Sequence, residues 1–175
     1  MHDHYLQNRR SFLAATASAM IALLAPNVRA ETPAGWKIFR GNFFNIGVPP
    51  GYVATPQGQP GGGGKSDEVS LWNESLKVEF CVFSPQWNGK AIMSEVGDRA
   101  EVLSEHESKK IGDVQEEQWT ITARDKSYVR FVVSRTKLKE NTNTTFGIRV
   151  PNMKVYEQVK PVYLRWKQTL QQFAD

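Results

Sequence analysis

The sequence is poor in the residues that usually carry chemistry. Cys81 is its only cysteine, so no internal disulfide can form. In an oxidising compartment that leaves a buried thiol or a disulfide between two copies of the chain. Of three histidines, His2 and His4 stand at the very front, which leaves His106 alone in the remainder. No Cys-x-x-Cys, Cys-x-x-Cys-His or Gly-x-Ser-x-Gly occurs, which excludes dithiol exchange, c-type haem attachment and the nucleophile elbow of serine hydrolases. Copper and zinc sites call for three or four convergent ligands, and Cys81, His106, Met93 and Met153 show no such spacing. No metal and no cofactor is expected. The longest uncharged apolar stretch, Ala14–Leu24, is shorter than the roughly 20 residues a bilayer-spanning helix needs.

That stretch is instead the middle of an export signal. A polar start is followed by Arg9-Arg10-Ser11-Phe12-Leu13, then the apolar run, then Val28-Arg29-Ala30 with small residues where a signal peptidase reads. Arg9, Arg10, Phe12 and Leu13 match the core of bacterial twin-arginine signals, with Asn8 in place of the usual Ser or Thr. The expectation is a cleavable leader over 1–30, cut between Ala30 and Glu31, and one periplasmic domain over 31–175. Membrane contact is then confined to the leader during export.

The formal charge of +4 is correspondingly discounted, since Arg9, Arg10 and Arg29 against Asp3 leave with the leader. What remains is uneven: residues 31–120 carry 8 basic and 13 acidic side chains, residues 121–175 carry 11 and 4. Folding interleaves such halves, so a solvated surface is the simplest account. Nucleic acid is disfavoured as a partner by the compartment.

Alternation dominates the mature chain. Phe44, Ile46 and Val48 share one side of a strand that Pro49-Pro50-Gly51 ends, because proline offers no ladder donor. Residues 55–67, built on Gly58-Gln59-Pro60 and Gly61–Gly64, have nothing apolar to bury and read as a flexible loop. Val69–Trp72 and Leu76–Phe83 form a hairpin, with Val78, Phe80 and Val82 facing the core and Cys81 facing the other way. Residues 91–100 suit a short helix or a strand equally. Strands are expected over 101–110, 114–123, 128–138 and 144–150, separated by turns at Gly112-Asp113, Arg124–Ser127 and Lys139–Asn143. Tyr156, Val159, Tyr163, Trp166, Leu170 and Phe173 then recur at steps of three and four, one stripe of a helix. Pro161 conflicts with an uninterrupted helix, so the helix either starts there or follows a short angled turn. The fold class is α+β, a mostly antiparallel sheet of about six to seven strands packed by a C-terminal amphipathic helix.

A strand ending in Val48-Pro49-Pro50-Gly51-Tyr52, then hairpins, then a closing helix ending Leu170-Gln171-Gln172-Phe173, resembles the PsbP/Mog1-like superfamily. The resemblance covers most of residues 36–173. It implies a non-catalytic scaffold that binds protein partners, and it supplies no site residue.

Other chemistries fail on their own terms. Gly64-Lys65-Ser66 suggests a phosphate loop, but Gln59 stands where the motif needs glycine, with no strand before it or helix after it. His106 has Ser104 and Ser108 on its strand side, and a base two residues from a nucleophile on a strand does not reach it reliably. Glu105 and Glu107 lie about 7 Å apart by strand geometry, near the separation inverting glycosidases use, but nothing places them in a pocket. Tyr52, Trp72 and Trp87 lie in or beside loops, where aromatic anchors mark interfaces, although core packing suits each equally. The function expected is a periplasmic accessory or binding protein, monomer or dimer, acting on an unidentified periplasmic or membrane-associated protein. The alternative is a small enzyme or ligand carrier with a cleft between helix and sheet, for which His106, Glu105 and Arg130 are the candidate polar groups.

Overall fold

A computed structural model of the chain describes residues 31–58, 65–97 and 99–173. The expected leader with Arg9, Arg10, Phe12 and Leu13, its cleavage residue Ala30, and the glycine run at 61–64 lie outside the described residues. Among the described residues, ten strands and one α-helix follow in order. They are β1 (Lys37–Arg40), β2 (Phe44–Val48), β3 (Val53–Gln57), β4 (Glu68–Asn73), β5 (Val78–Phe83), β6 (Glu101–Ile111), β7 (Val114–Ala123), β8 (Val129–Lys137), β9 (Thr142–Val150), α1 (Met153–Lys167) and β10 (Gln171–Gln172). A single 3-10 turn, Ile92–Ser94, sits between β5 and β6.

The main sheet has seven antiparallel strands in the order β3-β4-β5-β9-β8-β7-β6, and β1-β2-β10 make a second, small sheet. The C-terminal helix packs on the main sheet, which makes the α+β class a finding. Register explains why. Phe80 stands opposite both Leu71 and Ile148, and Ile148 opposite Phe131, so one row of apolar side chains crosses four strands on one face. The buried side of α1, Tyr156, Val159, Tyr163 and Trp166, lies against that row. Phe80 is 5.1 Å from Tyr163 and 5.2 Å from Trp166, centroid to centroid, and Phe131 is 5.7 Å from Tyr156. Each large side chain buried this way contributes roughly 1.5–3 kcal/mol.

Three local expectations are corrected. Helix α1 runs unbroken through Pro161, starting at Met153, where Asn152 caps it by accepting from the Val155 N–H at 3.0 Å. Pro161 faces solvent, and its cost of about 3 kcal/mol is offset by the four buried side chains on the opposite side. The apolar stripe also outruns the helix: Leu170 and Phe173 lie beyond it, and Gln171 and Gln172 pair with Asn45 and Phe44. Thr169 makes that exit, donating its hydroxyl to the Trp166 carbonyl (2.7 Å) and accepting from the Gly47 N–H (2.9 Å). Finally, Val53–Gln57 is an edge strand where the composition suggests loop; Pro56 is tolerated because an edge strand leaves one side of its ladder open.

Candidate functional site

Among the described residues, no α-helix packs on the other face of the main sheet. One ladder row on it reads Val53, Trp72, Glu79, Arg149, Arg130, Ile121, Leu103 across all seven strands. The next reads Thr55, Ser70, Cys81, Gly147, Val132, Trp119, His106. Two arginines directly opposite one another, Arg130 and Arg149, would repel unless compensated. Glutamates compensate them, and the resulting charged ground is the floor of a cleft of about 400 Å³.

The cleft's roof is a strap, residues 91–97, that crosses this face. Ala91 is buried at its start, and its large apolar anchor is Met93, which packs on Cys81, Val132 and Trp119. It lies directly over Gly147: a Cβ there would stand 2.1 Å from the Met93 Sδ, so only glycine lets the strap down onto the sheet. The rest of the strap is held by charge. Glu68, only 4% exposed, accepts from the Ile92 N–H at 2.9 Å and the Met93 N–H at 3.4 Å. Arg130 donates to the Met93 carbonyl at 2.6 Å and the Glu95 carbonyl at 2.8 Å, and pairs with Glu101. Glu101 in turn accepts from the Gly97 N–H and the Tyr128 hydroxyl, both at 2.7 Å.

These contacts set the titration of the site. Burial pushes the Glu68 carboxyl up, against the two strap amides and the Cys81 thiol that favour its charged form. Burial also pushes the Glu101 carboxyl up, but the Gly97 N–H, Tyr128 hydroxyl and Arg130 together hold it below the ordinary range. The Cys81 thiol is driven well up, first by burial and then by the Glu68 charge, to which it donates at 3.1 Å. It is a thiol and not a thiolate, and therefore a poor nucleophile. At 2% exposure it can bridge to a second chain only if the strap lifts.

Arg149 is held differently. Its guanidinium lies over the Tyr128 ring at 3.8 Å, with Trp72 at 5.9 Å, and its nearest carboxylate is Glu79 at 3.9 Å. That is an ion pair without a hydrogen bond. Ser70 donates to the other oxygen of Glu79.

The sequence-derived candidates scatter around this site. Trp72 lies beside Arg149 but is not part of the cleft lining, its indole N–H bonded to Glu74 at 2.6 Å. Trp87 lies at the opposite end of the β4–β5 pair, 49% exposed, edge-on to Phe83 and bonded to Asp67 at 3.2 Å. Tyr52 stacks on Phe80 at 4.7 Å, on the helix side of the sheet. The three therefore do not share a patch. Of the polar set His106, Glu105 and Arg130, only Arg130 reaches the cleft. His106 stacks on Trp119 at 5.5 Å, and Glu105 accepts from Thr120 at 3.2 Å on the helix side. A bulge between Leu103 and Glu105 takes Ser104 out of His106's row and onto Thr122, 2.8 Å away. Sequence reading missed Glu68, Glu79, Glu101 and Arg149, because their only signal is cross-strand register, which no local spacing encodes.

A second titratable cluster lies under α1. Glu116 binds Lys109 at 2.8 Å, Arg135 at 2.7 Å and Gln118 at 2.8 Å. Nearby, Lys167 is 2% exposed with no hydrogen-bond partner for its Nζ, which sits 4.8 Å from the centre of the Tyr163 ring. Burial, helped by the Arg135 charge, lowers its pKa to about 8. Among the described residues, no three His, Cys, Asp or Glu side chains are placed to share a metal ion, and no helix is long and apolar enough to cross a membrane.

The chain matches no protein-family profile and no curated protein. Among solved structures it is similar to cyanobacterial PsbP (CyanoP) from Synechocystis sp. PCC 6803, at 9% identity and a TM-score of 0.44, over 86% of this chain and 99% of that one. It is also similar to the Saccharomyces cerevisiae Ran-binding protein Mog1p, at 11% identity and a TM-score of 0.42, over 78% of this chain and 95% of that one.

Proposed function

We propose that this chain is an exported accessory protein that binds and does not convert, presenting the face of its sheet that the strap crosses to a protein partner in the periplasm. One observation carries the reading: the carboxylates Glu68, Glu79 and Glu101 of the cleft are engaged within the protein. Glu101 is bonded to Arg130 and Tyr128, Glu68 to two strap amides and the one thiol, and Glu79 to Ser70. Ser70 and Cys81, the hydroxyl and thiol that donate to Glu79 and Glu68, are both buried, and the Cys81 thiol is held protonated, so we read these pairs as structural. Val53, Ile92 and Leu103 are exposed apolar side chains on or beside this face. Export rests on the Arg9-Arg10 leader.

The reading is tested by placing a photo-crosslinking residue at Val53, Ile92 or Leu103 in the full chain, with Glu157 and Pro161 on the outer side of α1 as controls. Adducts from the sheet positions in periplasmic extract are expected. Adducts from the helix alone, or from neither, would overturn it, as would intact Met1 on soluble cytosolic material for the exported part. A second reading, a carrier of a small ligand, is favoured by the cleft itself.

A further inference from the structure

We propose that the cleft under the strap is a binding site for an α-amino acid, or an equally small molecule carrying one carboxylate and one ammonium. The inference rests on the reading that the chain binds and does not convert, and it concerns a soluble ligand, not the protein partner.

Four observations converge. The cleft's volume, about 400 Å³, lies within the range of small-molecule sites and holds the largest amino-acid side chain. Arg149 stacks on Tyr128 with its side chain 36% exposed, none of its guanidinium N–H groups makes a hydrogen bond within the protein, and its one ion-pair partner stands 3.9 Å off. A planar fork resting on an aromatic ring, with its donors not used inside the protein, can take a carboxylate through two parallel bonds. Beside it, Arg130 is 8% exposed and lines the same cleft, adding a second positive charge there.

Charge decides the rest of the ligand. The lining holds Glu68, Glu79, Glu95 and Glu101 against Arg130 and Arg149, four negative groups against two positive, a formal −2. A bare carboxylate enters that field against repulsion, whereas a ligand that brings its own cation does not. The Glu79 Oε2 faces Arg149 without a hydrogen bond from it, while Oε1 takes the Ser70 hydroxyl. Glu79 and Arg149 are paired residues on adjacent strands, so their side chains rise about 5 Å apart, the reach of an α-carboxylate and its neighbouring ammonium. Tyr128 on the floor, with Ile92 and Val96 on the strap, gives the side chain an apolar wall.

The experiment uses the purified chain with phenylalanine, 3-phenylpropionate and 2-phenylethylamine, followed by calorimetry and by amide shifts of Ile92 and Met93. Phenylalanine, or another member of a panel of the twenty amino acids, is expected to bind at least about tenfold tighter than either half-molecule. Arg149→Met and Glu79→Gln are each expected to weaken it by about tenfold or more, with Arg149→Lys restoring little because it cannot stack or fork. Glu79→Gln keeps shape and removes charge, so it serves if Arg149→Met is poorly folded. Equal binding of a half-molecule, unchanged binding by a folded Arg149→Met or Glu79→Gln chain, or no binding by any amino acid at millimolar concentration would each overturn the assignment. None of these outcomes bears on the cross-linked partner, so the two readings fail separately.

Discussion

The two faces of the seven-stranded sheet are built from alternate residues of the same strands, yet they are held by opposite means. On the helix side Leu71, Phe80, Ile148 and Phe131 form a dry row under four buried side chains of α1. On the strap side the adjacent row is Trp72, Glu79, Arg149 and Arg130, roofed by a segment with one large apolar anchor and a set of charged clamps. Apolar burial is non-directional and makes the helix side the source of stability. Charged clamps are directional and leave space between them, which is why the cleft is on the other side. On the helix side, by contrast, aromatic rings pack between α1 and the sheet.

Substitutions can break or sharpen this contrast. The largest loss is expected from Trp166→Ala on the helix side, about 3–5 kcal/mol by urea denaturation, since Trp166 is fully buried against Phe80 and Phe146. Arg130→Met on the strap side should cost roughly 3 kcal/mol, because it strands the Glu101 carboxylate. A cost below that of a surface change would mean that the clamps do not hold the strap.

Lys167→Met should act in the opposite direction. With its pKa at about 8 in the fold against 10.5 in the open chain, Lys167 binds its proton more tightly when unfolded. That makes stability rise as pH climbs from 8 toward 10.5, and the variant should abolish the rise and add on the order of 2–3 kcal/mol at neutral pH. Thermal melts across that window would show it; an unchanged pH profile would place the amine in water.

Gly147→Ala should cost about 1–3 kcal/mol by driving Met93 upward. The same change should speed thiol labelling of Cys81, with Met93→Ala in the same chain relieving the clash. The smallest effect is expected from Glu68→Gln, about 1 kcal/mol, because the amide keeps one acceptor and loses the other. Faster hydrogen exchange at Ile92 or Met93, with little change in the global melt, is the result to look for.

The contrast also explains what could be read from the sequence. Apolar alternation in Val78, Phe80 and Val82, and the stripe of Tyr156, Val159, Tyr163 and Trp166, gave the helix side, because burial leaves a periodic trace. The stripe misled only past Lys167, where Leu170 and Phe173 keep the spacing but Thr169 turns the backbone toward β2. Pro161 misled because propensity is local and tertiary packing outweighs it. Strand β3 has no apolar face to betray it. Of the cleft only Arg130 is legible as a candidate: Glu68, Glu79, Glu101 and Arg149 come from four other strands, and each looks like an ordinary surface charge until register sets them side by side.

Strand β10 lies beside β2, and the Phe173 N–H closes on the Phe43 carbonyl at 3.1 Å. These partners are separated by nearly the whole length of the domain, so the small sheet cannot zip up until Gln172 has emerged from the ribosome. Up to that moment Phe44 and Ile46, both buried in the finished domain, have only part of their covering. The small sheet therefore has a long loop to close and a correspondingly slow search. A nascent chain shortened by even this last turn would leave its second strand as an open, adhesive edge.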